Sequence, residues 1–130
     1  MERFEKIESL LEKVAEELNA RLSRNRPQLT ELLRTFEERR IDWIEKEINK
    51  AIIIQPTFEK NGDNSDHWNL KIVAWKWVNG WRIDFRQDLA SKKDFEEIEQ
   101  NIDTLLENAI TRLGKIQEVD LKSKALDSKG

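Results

Sequence analysis

Trp75-Lys76-Trp77-Val78-Asn79-Gly80-Trp81-Arg82-Ile83-Asp84-Phe85-Arg86 is the stretch whose reading decides the fold. Asn-Gly between two alternating apolar runs signals a two-residue hairpin, because a type I′ turn needs positive φ at both central residues. The spacing predicts strands over Trp68–Val78 and Trp81–Gln87. It sets Val78 opposite Trp81, Trp77 opposite Arg82, Trp75 opposite Asp84 and Val73 opposite Arg86.

Strand alternation then divides the hairpin into two faces. One holds Trp68, Leu70, Ile72, Ala74, Val78, Trp81, Ile83 and Phe85, with Lys76 as the single intruder. This is the expected core side, with Trp68 and Trp81 as core aromatics. The other holds Asn69, Lys71, Val73, Trp75, Trp77, Arg82, Asp84 and Arg86. Its mixture of aromatic and basic side chains is unlike a plain solvated face, and Arg82 stacked on Trp77 is the expected cation–π pair. Trp and Arg are also the residues most enriched at binding hot spots.

Upstream, Phe4, Ile7, Leu10, Leu11, Val14, Leu18 and Leu22 recur at helical spacing, which predicts a first helix. Pro27 opens a second, with Leu29, Leu32, Leu33, Phe36, Ile44, Ile48 and Ala51 on its buried side and Arg40 interrupting the row. The β-branched run Ile52-Ile53-Ile54 predicts a strand to about Phe58, with Pro56 suggesting an edge or a bulge. Asn61-Gly62 reads as a second hairpin turn, and Asp63-Asn64-Ser65-Asp66 as a polar loop without the spacing of a calcium site.

Downstream, Ser91 with Asp94 resembles a capping box for a helix carrying Phe95, Ile98, Ile102, Leu106, Ala109 and Leu113, with Gly114 as its left-handed cap. The expected fold is α+β: two N-terminal helices, a three-stranded antiparallel meander and a C-terminal helix, with the helices packed on one face of the sheet. Residues 1–114 form the expected domain and 115–130 a flexible C-terminal tail.

With 130 residues the chain fits one domain. It has no cysteine, which excludes disulfides and thiolate metal sites and fits a reducing cytoplasm. Its start lacks an apolar signal core and its apolar runs are too short to cross a bilayer, so no membrane association is expected.

The net charge of -3 conceals segments of opposite sign: residues 67–93 carry +4, residues 94–113 carry -5 and residues 21–40 carry +3. Such alternation commonly reflects complementarity within a fold or across a dimer.

No glycine-rich phosphate loop or nucleophile elbow is present, and His67 is the only histidine. Helix, three antiparallel strands and helix is an order similar to the core of the PD-(D/E)XK nucleases, and Asp84-Phe85-Arg86 is an acid-x-basic triplet. The likeness implies a metal-dependent nuclease, but Arg stands for Lys. Asp84 should also sit beside Trp75, nine residues of extended chain from Asp66, too far for one shared metal ion.

The sequence thus predicts a small soluble, non-enzymatic interaction module (adaptor, inhibitor or subunit), binding a protein partner or a second copy of itself as a homodimer. Lys71, Trp75, Trp77, Arg82 and Arg86 are its expected binding residues, with no catalytic residue, metal ligand or cofactor assigned. The alternative is a nucleic-acid or polyanion binder using the same face together with Arg24, Arg26, Arg39 and Arg40. A degenerate nuclease-like metal enzyme stands third.

Overall fold

A computed structural model describes residues 4–25, 38–56 and 67–121. Helix α1 (Glu8–Glu17) leads into strands β1 (Arg21–Asn25), β2 (Glu38–Glu45), β3 (Ile48–Pro56), β4 (His67–Val78) and β5 (Trp81–Asp94), followed by helices α2 (Phe95–Gln100) and α3 (Ile102–Gly114). A last helical turn occupies residues 118–121. The strands form one antiparallel sheet in chain order, β1 to β5.

The architecture is α+β, but among the described residues the expected two N-terminal helices and three strands give way to one N-terminal helix and five strands. Residues 38–45, read as part of a second helix, are β2. From Glu38 the burial has period two: Arg39, Ile41 and Trp43 face the core while Arg40, Asp42 and Ile44 face away. Phe36, Ile44 and Ile48, with Arg40 interrupting them, also fit a helical period, so the two templates overlap, and pairing with β3 decides between them. Leu29 to Phe36, and the Asn61 to Asp66 loop, lie outside the described residues.

The turn between β2 and β3 carries no sequence signal. Lys46 and Glu47 both have positive φ, 53° and 67°, forming the left-handed pair that a two-residue hairpin needs without an asparagine or glycine. The β4–β5 turn uses the expected Asn79 and Gly80, at 52° and 82°, and the register runs unbroken from Val78–Trp81 to Lys71–Asp88. Strand β3 lies inside the sheet, and Pro56 is tolerated because it is the last residue of its strand.

Helix α1 ends earlier than its apolar stripe suggests. Asn19, at φ 53°, reverses the chain, and Asn19 N–H and Ala20 N–H donate to Glu16 O and Ala15 O, closing the last turn and releasing Leu22 into β1. Downstream, Ser91 is still in β5 and Asp94 occupies the N-cap position, so the capping box is not formed. The expected single helix is broken at Asn101, whose side-chain amide donates to Glu97 O at 2.8 Å. Gly114 is helical instead of left-handed, and buried Ile116 and Leu121 carry the packed chain beyond it.

All three helices cover one face. Phe4, Trp68 and Phe95 meet edge to face with centroids 5.0 to 5.5 Å apart, joining the start of α1, the sheet and the start of α2. Ile7, Leu11 and Val14 from α1, with Leu106, Ala109 and Leu113 from α3, complete the layer over Ile41, Ile52, Leu70, Ile72 and Phe85. Arg39, not Arg40, is the arginine in this core. It is 1% exposed, lies over the Phe4 ring at 4.2 Å and donates from Nε to Glu8 Oε2 at 3.2 Å. Among the described residues no helix is long and apolar enough to cross a membrane.

Two stability predictions arise here. Replacing Lys46-Glu47 by Asn-Gly should stabilise the fold by about 1 kcal/mol, because a left-handed conformation costs ordinary residues about 1–2 kcal/mol each. The check is a higher urea midpoint at unchanged m. Glu8→Ala removes the carboxylate that lies 3.2 Å from the buried Arg39 Nε and should cost about 3 kcal/mol, whereas adding Arg39→Met should recover most of that loss in the same urea assay.

Candidate functional site

The face opposite the helices presents β2 to β5 edge by edge, and it assembles the site. Ala51, Ile53 and Val73 form a small buried apolar cluster there, with half-buried Trp75 packed against it. Trp77 stands at 89° to Trp75 with centroids 6.3 Å apart and is 60% exposed. The Arg82 guanidinium lies over the Trp75 ring at 4.4 Å, so the cation chooses Trp75 rather than the expected Trp77. Arg82 is directly opposite Trp77 in the register, and its long side chain reaches the diagonal neighbour instead.

Both outer-face arginines nearest the aromatic pair are matched to an aspartate two residues along their own strand. Arg82 Nε donates to Asp84 Oδ1 at 2.8 Å, and Arg40 Nε donates to Asp42 Oδ1 at 2.7 Å. Lys71 lies opposite Asp88; with the Gln55 amide oriented to satisfy its neighbours, Gln55 Oε1 accepts from Lys71 Nζ at 2.8 Å. Arg86 is exposed on the same face, opposite Val73. Lys71, Trp75, Trp77, Arg82 and Arg86 are therefore brought to one surface, with much of its positive charge already balanced.

Beside Trp75 a groove of about 510 Å³ runs over Arg40, Asp42, Ile44 and Asn49 to Ala20 and Arg21. Asn49 Nδ2 donates to Trp75 O at 3.4 Å, tying β3 to β4 along its floor. Sequence reading missed Asp42, Ile44 and Asn49, and set Arg40 on a helix instead of this face, because residues 38–50 were assigned to a helix. The alternation Arg39-Arg40-Ile41-Asp42-Trp43-Ile44 was the available signal.

Trp81 departs from expectation: it is 76% exposed and does not join the core. Its parity is right, but the hairpin outruns its cover. A strand of 12 residues extends about 40 Å, while a helix of 13 residues covers about 20 Å. Trp81 on the helix side and Ile44 and Trp77 on the outer face are all exposed at the end of the sheet that carries the two hairpin turns.

The remaining charged intruders are satisfied from neighbouring elements. Lys50 is buried on the core face and its ammonium lies 3.4 Å from Glu45 Oε2. Lys76 Nζ donates to Glu118 Oε2 at 3.3 Å and Glu47 Oε2 at 3.4 Å, linking the final helical turn to both hairpin ends. The hydrogen bond to Glu118, with the charges of both carboxylates, raises the Lys76 ammonium above its ordinary 10.5.

His67 Nε2 lies 3.8 Å from Asp94 Oδ1, far from the groove at the other end of the hairpin. Among the described residues no three histidine, aspartate or glutamate side chains gather as metal ligands. Asp84 does sit opposite Trp75, while Asp66 lies outside the described residues. Compared with known proteins, the chain matches no family model, no curated protein and no solved structure.

The raised Lys76 value sets the sign of a pH effect. Its contribution to stability is full below the unfolded value near 10.5 and is lost as pH rises through the higher folded value. Thermal unfolding followed into the alkaline range should show a loss of stability that is smaller in Lys76→Met.

Proposed function

We propose that this chain is a small non-enzymatic interaction module that holds a protein partner on its outer sheet face. The observation that carries this reading is the preorganised aromatic pair: Trp77 largely exposed, Trp75 set edge to face beneath it and capped by Arg82. Rigid aromatic and arginine anchors lose little conformational freedom on binding, and they border a groove with both polar and apolar walls. Trp75 and Trp77 are the anchors; Arg82 and Arg86 provide the polar rim, and Lys71 lies further along the same face. A cytoplasmic location belongs with this reading, on the absence of cysteine.

Nucleic acid or another polyanion is the second reading, supported by the same rings among basic side chains. The Arg82–Asp84 and Arg40–Asp42 pairs weigh against it, since a cation already neutralised releases fewer counterions from a bound polyanion.

Affinity capture with the full chain and with Trp75→Ala/Trp77→Ala tests the lead. The double substitution should weaken partner retention by about a hundredfold. Because Trp75 packs on the apolar cluster it also lowers the unfolding transition, so Trp77→Ala alone, at a 60% exposed ring, should weaken retention with the transition near that of the parent. An unchanged set of bound proteins overturns the reading. A tryptophan fluorescence response to oligonucleotides at low salt that fades steeply as salt is raised would instead favour the polyanion reading.

A further inference from the structure

We propose that β5 is a self-complementary edge through which two copies of this chain pair antiparallel, joining their sheets across a twofold axis at Phe85. This gives the homodimer expected from the sequence a definite surface, and it rests on the proposed function only in treating the chain as an interaction module.

Strand β5 has 14 residues and occupies one end of the strand order, with no strand beyond it among the described residues. Its pairing with β4 is regular from Trp81 to Asp88 and shifts beyond, where Leu89 is the extra residue opposite Lys71–Leu70. In a two-residue hairpin the residues flanking the turn exchange backbone hydrogen bonds. Trp81, Ile83, Phe85 and Gln87 therefore bond to β4. The N–H and C=O groups of Arg82, Asp84, Arg86 and Asp88 point to the open edge.

The four outward-bonding residues alternate in charge, basic, acidic, basic, acidic. Centred on Phe85, an antiparallel copy sets Arg82 opposite Asp88 and Asp84 opposite Arg86, each twice by symmetry. All four would be hydrogen-bonded pairs, and every pair joins opposite charges. A slip of two residues either way places Asp84 opposite Asp84 and Arg82 opposite Arg86, or Arg86 opposite Arg86 and Asp84 opposite Asp88. The charge pattern thus favours this register over both of its neighbours, and a slip of four residues keeps only two opposite-charge pairs instead of four.

An edge charged with one sign would repel a second copy, which is how many proteins protect such strands. Alternation around a central residue has the opposite effect.

The core-side residues fit the same register. Phe85 meets Phe85, Ile83 meets Gln87, and Trp81 meets Leu89 of the second copy. Leu89 already packs partly on the main core, so the exposed Trp81 would gain an apolar neighbour.

Sedimentation equilibrium of the full chain tests the proposal, with dimers of twice the 15.5 kDa chain mass expected. Asp84→Arg and Arg86→Asp each place like charges opposite one another at two symmetry-related pairs, and each should weaken association by about tenfold or more. The double variant Asp84→Arg/Arg86→Asp reverses both charges, restores opposite pairing and should recover association. Circular dichroism melts identify any variant that misfolds, and recovery in the double variant cannot come from a chain that has lost its fold.

A wild-type chain that stays monomeric at its solubility limit overturns the proposal. A dimer indifferent to both single substitutions, or one that the double substitution fails to recover, does so too. Self-association is read with the chain alone and no partner present, so failure here leaves partner capture by the outer face to stand or fall by its own assay on Trp75 and Trp77.

Discussion

The constraint on which the rest of the structure depends is that one face of a five-stranded sheet must be buried, and the described helices that bury it come from the two ends of the meander. Helix α1 precedes β1, and α2 and α3 follow β5; the chain entering α1 and the start of α2 meet on β4 in the Phe4, Trp68 and Phe95 contact. Burial of that layer contributes the apolar stabilisation. Helices rise about 1.5 Å per residue against about 3.3 Å for strands, so the layer cannot reach the whole length of the long hairpin. What it leaves uncovered, the outer face and the turn end of the sheet, is where Ile44, Trp77 and Trp81 are exposed.

Three cations on the helix-facing side show how polar groups are accommodated within this layer. Arg39 meets Glu8 from α1, Lys50 meets Glu45 from β2, and Lys76 meets Glu118 and Glu47. The cost of removing charges from water offsets most of the attraction within such pairs, whereas breaking a pair leaves that cost without the attraction. Their clearest structural consequence is positional. Glu8 sets α1 against β2, and Glu118 holds the last helical turn beside the β4–β5 hairpin.

The two proposed surfaces share one strand but use different parts of it. Side chains of Arg82 and Arg86 border the outer-face aromatics, whereas the backbone of residues 82–88 faces the open edge. Pairing at that edge would place two outer faces side by side on one extended sheet. Trp75 and Trp77 would remain uncovered, so self-association and partner capture are compatible.

Much of this was legible in the chain. Asn79-Gly80 specified the hairpin and its register, and period-two alternation assigned Lys71, Trp75, Trp77, Arg82 and Arg86 to one face. The first helix and the helical nature of residues 95–114 followed from apolar spacing, and the placement of helices on one face from the amphipathic pattern. Strand β2 was not legible because its apolar residues satisfy two periods at once, and Lys46-Glu47 conceals a tight turn in residues that rarely form one.

The sequence by itself determined the local choices in which backbone conformation and side-chain period agree: the Asn-Gly turn, the alternating strands and the amphipathic helices. Only the tertiary structure decided that residues 38–45 join a sheet, that Arg39 instead of Arg40 is buried, that Arg82 caps Trp75, and that Trp81 lies past the helices. Those outcomes depend on which neighbour lies within reach after folding, on the length of helical cover over a strand and on hydrogen bonds between distant segments. Local periodicity carries none of these.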